Sequence, residues 1–285
     1  MRSLLRRGYV GLGAVTSAQR LRPDLIVVGG QRCGTTSLFR ALEQHPQLVR
    51  PTLNKGINYF DINYDRGEQW YAGHFPTARS VRHRTGGDRR AVAFEASGYY
   101  LFHPLAPERI ARDLPDIKII AMLRDPVERA FSAWKHERAR GYEAEPFDRA
   151  IEMESERTRG EADRMRKDPG YQSYAHRHFA YAARGDYPKL LGWYYDLLPA
   201  AQIHVVYSED FFANPAAEFA RITRFLDVDH APGLLFEQHN ARRSGPMPPR
   251  AQRLLEERFA GQGDQLEALV GRRPPWSNAQ LRSTS

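Results

Sequence analysis

Apolar residues gather along this chain in short dense runs, and the runs alternate with longer amphipathic stretches. "DLIVVGG" (24–30) is apolar, rich in β-branched residues and closed by two glycines, which predicts a buried strand. "TTSLFRALEQH" (35–45) places Leu38, Leu42, Phe39 and Ala41 at helical spacing and predicts a helix stopped by Pro46. "AVAFEAS" (91–97) and "DIKIIAMLR" (116–124) predict a second and a third strand, and "AQIHVVYSED" (201–210) a fourth. Between the last two, "DPVERAFSAWKHERAR" (125–140) predicts a helix with Asp125 as its N-cap and Pro126 at its first position.

The stretch from Phe147 to Leu198 carries no strand signal and reads as helical, with a charged break at "RKDPG" (166–170). "NPAAEFARITRFLDV" (214–228) is an amphipathic helix, and 248–271 is a helical region broken near Gly261 and Gly263. "RHRTGGDRR" (82–90) reads as a basic surface loop and "HNARRSGPMPPR" (239–250) as a Pro/Gly/Arg loop. Strands alternating with helices predict a three-layer α/β fold, a central parallel sheet flanked by helices. No linker interrupts the pattern, so residues 23–276 form one expected domain, preceded by a basic arm (1–22) and followed by a flexible tail (277–285).

Composition narrows the chemistry. The chain has 285 residues, 41% of them hydrophobic, enough to bury a sizeable core. The net charge of +8 suits an anionic ligand, and equally nucleic acid or a membrane surface. Arginine dominates the basic residues and favours bidentate contacts to phosphate or sulfate. The single cysteine, Cys33, excludes an intrachain disulfide and points to a reducing compartment, here the cytoplasm. No C-x-x-C or H-E-x-x-H pattern exists, so no metal site is expected. The opening "MRSLLRRGYVGLGAVTSAQR" is too short and too rich in glycine to span a bilayer. It reads as a frayed basic arm or amphipathic lead-in, with a signal peptide as the competing reading and peripheral membrane association left open.

Chemistry enters with "VVGGQRCGTTSLFRAL" (27–42). Gly29, four residues, Gly34 and then Thr35-Thr36 follow the nucleotide phosphate loop, except that Thr35 stands where that loop has its lysine. Backbone N–H groups ahead of a helix N-terminus form an anion cradle, and Thr35, Thr36 and Ser37 add hydroxyls. The nearest cation is Arg32, inside the loop. An ordinary glycine turn with Arg32 on the surface is the competing reading. A second constellation is Arg124, at the end of the third strand, with Ser132 eight residues on in the next helix. An arginine at the C-terminal end of a parallel strand faces the ligand crevice of such sheets, where Arg124 and Ser132 would grip a second phosphate. An ion pair of Arg124 with Asp125 or Glu128 is the alternative.

Together the two stretches carry a family resemblance. "GGQRCGTTSL" resembles the 5′-phosphosulfate loop of sulfotransferases that use 3′-phosphoadenosine 5′-phosphosulfate (PAPS), and "MLRDPVERAFSAW" resembles their 3′-phosphate motif. The branch is similar to heparan sulfate and related carbohydrate sulfotransferases, which has many bacterial relatives. "NKGINYFDINYDRGEQWYAGHFP" (54–76), "FEASGYYL" (94–101) and "DLLPAAQIHVVYSEDFFANPAAEFARITRFL" (196–226) extend it over roughly Pro23 to Trp276. The resemblance implies the P-loop-containing nucleotide hydrolase-like fold. It implies that Gln31, Arg32, Cys33, Gly34, Thr35, Thr36 and Ser37 hold the 5′-phosphosulfate, with Arg32 where the family has a loop lysine. It implies that Arg124 and Ser132 bind the 3′-phosphate, and that the loop with Asn240, Arg242 and Arg243 closes over the donor. PAPS would be the donor and adenosine 3′,5′-bisphosphate the product, with no metal required.

The catalytic base is where this chain departs from the family. A glutamate is frequent at the position of Gly56, and glycine cannot remove a proton; a histidine frequent two residues later is Asn58 here, and Ala96 replaces a lysine. Asp61 and Glu95 are the substitute candidates, with Lys55 as a charge partner. Against these stand structural roles, Asp61 as a cap or ion-pair partner and Glu95 bound to a buried arginine. The sulfuryl group would pass in line to an acceptor hydroxyl or amine, with Arg32 and loop N–H groups stabilising the charge on the leaving oxygen. The expected acceptor is a carbohydrate, glycolipid or other small metabolite, by resemblance only. No nucleic-acid partner is expected, and a weak homodimer is left open. A small-molecule kinase with a degenerate loop and a non-catalytic nucleotide or nucleic-acid binder are the competing classes.

Overall fold

The structure, a computed structural model, describes residues 10–84, 90–231, 233–236 and 245–277. Its centre is a five-stranded sheet in the order β2-β3-β1-β4-β5. The strands are β1 (Leu25–Gly29), β2 (Leu48–Val49), β3 (Val92–Ala96), β4 (Lys118–Leu123) and β5 (Ile203–Tyr207), and every pairing is parallel. Four of these follow the apolar runs; β2, two residues long at the sheet edge, was not among the expected strands. Every residue of β1 and β3 is buried, as expected of strands covered by helices on both faces. Each fully buried aliphatic side chain there contributes about 1.5–3 kcal/mol. One apolar cluster, around Ile26, Val28, Ile119 and Tyr194, covers one face; another, around Leu25, Val27, Leu38 and Ile222, covers the other.

Chain order reverses at β1: β3 lies on one side of it and β4 on the other. In open α/β sheets this switch point opens the ligand crevice, beyond the carboxyl ends of the strands. The helix Thr35–Gln44 follows β1 and the helix Pro126–Ala139 follows β4, so both motifs converge on that crevice. Asp125 caps the second helix as expected, its Oδ1 accepting from the N–H groups of Val127 at 2.8 Å and Glu128 at 3.3 Å.

Elsewhere the pattern is refined. The stretch 147–198 forms the helices Phe147–Arg157, Glu161–Lys167, Tyr174–His178 and Tyr187–Tyr195, and the "RKDPG" break separates the second from the third. A helix, Ala78–Arg84, takes up the start of the expected basic loop, whose residues 85–89 lie outside the described residues. In the N-terminal arm, residues 10–15 are helical, Val10 is buried and Arg20 bridges to Thr77. Residues 1–9 of the arm and 278–285 of the tail are outside the described residues. Among the described residues no helix is long and apolar enough to cross a membrane.

Candidate active site

The loop between β1 and the helix Thr35–Gln44 is built for close approach. Gly34 is that helix's N-cap, in the left-handed region at φ 89°, and a Cβ there would meet the Phe212 ring at 3.0 Å. Arg32 also has a positive φ, 70°. Alternation of backbone hand in such a loop turns successive N–H groups toward one point. The helix has no side-chain cap and no acidic residue in its first turn, so none of its own side chains offsets its positive end.

The side chains of the loop take different directions. Thr35 and Thr36 both receive hydrogen bonds from Lys55 Nζ, at 3.1 and 3.2 Å. A cation thus does reach the phosphate loop, from a segment twenty residues downstream of Thr35 rather than from within the loop. Burial pulls the Lys55 ammonium down to about 8, with the charge of Arg40 adding to it. Arg32 Nε donates to Ser132 Oγ at 3.1 Å, so the two motifs touch. Gln31 points away from the cradle: its Oε1 accepts from Arg184 Nη1 at 2.6 Å and its Nε2 donates to Glu137 Oε1 at 3.3 Å. Cys33 is buried against Tyr187, its thiol pushed up to about 11 by burial, while Ser37 is buried in the helix's first turn.

Arg124 sits at the end of β4 with its Nη2 3.4 Å from Glu128 Oε2, the alternative ion pair of the sequence reading. Asp125 is committed to capping. Arg124 and Glu128 are both partly solvent-exposed, and such a pair is worth at most about 1 kcal/mol. The pair therefore ties up Arg124 only weakly. Asn240, Arg242 and Arg243 lie outside the described residues. Among the described residues no three His, Cys, Asp or Glu side chains gather as a metal set.

The two carboxylates differ sharply. Glu95 is wholly buried at the end of β3, and both its oxygens are occupied. Oε1 accepts from Tyr71 OH at 2.9 Å and Tyr100 OH at 3.0 Å; Oε2 accepts from Ser97 Oγ at 2.8 Å and the Ile57 N–H at 3.1 Å. Two tyrosines, a serine and a backbone amide thus bind it, in place of the expected arginine. Tyr100 OH passes the tie on, accepting from the N–H groups of Tyr59 at 2.7 Å and Phe60 at 3.3 Å. Glu95 is thus the anchor of the segment 55–60.

Asp61, at the end of that segment, is 5% exposed. Its Oδ1 accepts from the N–H of Ile62 at 2.6 Å, and its Oδ2 is buried with no hydrogen-bond partner among the described residues. Burial, and then the charge of Glu95, push its carboxyl up to about 7. Position 56 explains why no glutamate stands there. A Cβ on Gly56 would lie 2.7 Å from the Ala96 carbonyl oxygen and 3.0 Å from Ser97 Oγ. The segment runs too close to the end of β3 for any side chain.

A family model described as "Sulfotransferase domain" matches residues 22–242. The chain belongs to the sulfotransferase family. A crystal structure of a sulfotransferase from Alicyclobacillus acidocaldarius is 30% identical, covers 88% of this chain and 97% of that one, and superposes with a TM-score of 0.64. The membrane-associated sulfotransferase kil1 of Dictyostelium discoideum is 26% identical over 90% of this chain and 67% of its own length. The bifunctional heparan sulfate N-deacetylase/N-sulfotransferase 4 of Mus musculus is 34% identical over 41% of this chain, a match that spans only 13% of the mouse protein.

Sulfotransferase membership gives the sheet a P-loop NTPase-like fold and the chain a reaction class, sulfuryl transfer. Several residues at this sulfotransferase site had no sequence signal. Tyr71 and Tyr100 reach Glu95 from 24 and 5 residues away, and Arg184 reaches Gln31 across 153. Glu137 was legible in principle, since it shares the helix of Ser132.

Proposed function

We propose that the protein transfers the sulfuryl group of PAPS to a hydroxyl or amine of a small or carbohydrate acceptor. The observation that carries this reading is the meeting of the two motifs: Arg32 from the loop on Ser132 from the helix after β4, with Lys55 on Thr35 and Thr36. Two anion subsites then share one crevice, which suits a nucleotide phosphorylated at both ends of its ribose. The loop from Gln31 to Ser37 receives the 5′-phosphosulfate through its N–H groups and the Thr35 and Thr36 hydroxyls. Arg32 and Lys55 stabilise the charge that develops on the leaving oxygen. Arg124 and Ser132 receive the 3′-phosphate. PAPS, when bound, supplies the activated sulfuryl group; the chain supplies fixed charge and a base.

Asp61 is the base in this reading. Its free oxygen and a carboxyl near 7 suit proton removal from an acceptor hydroxyl near neutral pH. Glu95, with both oxygens engaged, acts as a positioning residue for Lys55 and Asp61. A carbohydrate or glycolipid acceptor is favoured by the heparan sulfate N-sulfotransferases among the relatives, and the single cysteine favours the reducing cytoplasm.

The test is transfer of labelled sulfate from PAPS to an acceptor library, with Arg32→Ala and Arg124→Ala alongside the wild type. Loss of transfer of about a hundredfold or more in Arg32→Ala is expected, on the scale of removing one transition-state donor. Wild-type rates in both variants would sink the assignment.

A further inference from the structure

The side chain of Gln31 is gripped at both ends. Its Oε1 accepts from Arg184 Nη1 at 2.6 Å, and its Nε2 donates to Glu137 Oε1 at 3.3 Å. A guanidinium offers only donors and a carboxylate only acceptors, so the two partners fix which way the amide faces. No charged residue suits the place: a carboxylate at position 31 would oppose Glu137, and a cation would oppose Arg184. Both partners are buried and belong to different elements, Glu137 to the helix Pro126–Ala139 and Arg184 to the turn Ala183–Gly185. One short helix, Tyr174–His178, steadies both. The carbonyls of His176 and Arg177 accept from Arg184 Nη2 at 3.3 and 2.5 Å. The next residue, His178, meets Glu137 Oε2 with its Nδ1 at 2.8 Å. The rings of Tyr99 and Phe102 each lie 5.0 Å from the Arg184 guanidinium carbon, and His178 packs against Tyr142 and Tyr174.

The residue so gripped stands directly before Arg32, a non-glycine residue in the left-handed region at φ 70°. Such a backbone is strained and persists only where its surroundings over-determine it. On the other side Cys33 is pinned as well, its carbonyl accepting from Ser208 Oγ at 2.7 Å. Arg32 is therefore bracketed by two fixed neighbours. We propose that Glu137 and Arg184 are positioning residues for the loop. Acting through Gln31, they hold Arg32 in its left-handed backbone, and so aim Arg32 and the loop N–H groups before a nucleotide arrives. This rests on the donor reading above and adds to it the residues that keep the 5′ end of the site in shape.

The experiment is calorimetric titration of the full chain, at one ionic strength, with adenosine 3′,5′-bisphosphate, adenosine 3′-monophosphate and adenosine 5′-monophosphate. Preference for the bisphosphate over the 3′-monophosphate reads the loop; preference over the 5′-monophosphate reads the other end of the nucleotide. Gln31→Met keeps the length of the side chain and removes both hydrogen bonds, and Arg184→Met removes one partner. In each, the first preference is expected to fall roughly fivefold to tenfold, the scale of re-imposing one left-handed residue on binding, with the second unchanged. Gln31→Glu sets two carboxylates face to face and should lose at least as much. Adding Glu137→Gln returns a donor opposite the introduced carboxylate and still offers His178 an acceptor, so the double variant should recover most of the preference. A purely structural loss would not fall on one end of the nucleotide, nor be repaired by a second substitution. A first preference that survives Gln31→Met, equal losses for all three nucleotides, or a double variant no better than Gln31→Glu overturns the inference alone. Should Gln31→Met not fold, the two Gln31→Glu variants decide. A wild type that prefers the bisphosphate to neither monophosphate removes the donor reading, and this inference falls with it.

Discussion

Burial disfavours the charged form of both Asp61 and Lys55, and the two charges are of opposite sign. The Asp61 carboxyl is raised to about 7 from an ordinary value of 3.8, so between those values the folded protein binds more protons than the unfolded one. Its ionisation therefore costs stability progressively as pH rises through that window. Asp61→Asn is expected to melt higher than the wild type at pH 8, by an amount on the order of a few kcal/mol, and to lose roughly a hundredfold or more in turnover. The wild-type rate should climb with pH through about 7, and the variant should lack that limb. A variant as active as the wild type would hand the base role elsewhere. Lys55 is lowered to about 8 from 10.5, so its buried charge is a cost below pH 8 that is relieved as pH rises. A bound anion restores the higher value, so binding takes up a proton above pH 8. Affinity for adenosine 3′,5′-bisphosphate should then fall as pH rises through 8, by up to about tenfold per unit. Lys55→Met should bind more weakly at pH 7 and show no such slope in titrations at the two ends of the range.

The element that carries both residues, the segment 55–61, has little regular structure of its own, a single helical turn at Tyr59–Ile62. It is held by Glu95 and Tyr100 through backbone N–H groups. Glu95→Ala leaves the hydroxyls of Tyr71 and Tyr100 and the amide of Ile57 without their acceptor in a dry site, at about 1–3 kcal/mol for each group left unsatisfied. A fall in melting temperature of at least several degrees is expected by calorimetry. An unchanged melting temperature would contradict the anchoring role. This arrangement marks the limit of what the sequence conveys. Strands β1, β3, β4 and β5 were legible because each is a run buried on both faces, and the capped helix after β4 because its cap is local. The two-residue β2 is too short to leave a pattern. Glu95 read as a catalytic candidate because its partners come from other elements, and a lone carboxylate in an apolar run looks the same whether it reacts or holds. Lys55 read as a mere charge partner because nothing local indicates that it folds back onto Thr35 and Thr36.

Taken as a whole, the molecule draws its cations from the ends of different strands: Arg32 follows β1, Lys55 lies beside the end of β3 and Arg124 follows β4. The +8 net charge adds a general attraction for anions, which salt screens. A specific site should survive that screening. Thermal shift by adenosine 3′,5′-bisphosphate at 0.15 M salt is expected to exceed that by ATP with magnesium, reaching about 2.7 kcal/mol of added stability at a hundredfold excess over Kd. A larger response to ATP would favour the kinase class, and a shift only with polynucleotide, abolished by salt, the nucleic-acid binder. The parallel order β2-β3-β1-β4-β5 has a kinetic consequence as well. No short piece of this chain contains the three cations, so no early folding intermediate has a pocket for the nucleotide to recognise. The bisphosphate should leave the refolding limb of a chevron plot where it is and slow only the unfolding limb. The nucleotide would then act as a latch closed after assembly, prolonging the life of the native state without hastening its formation.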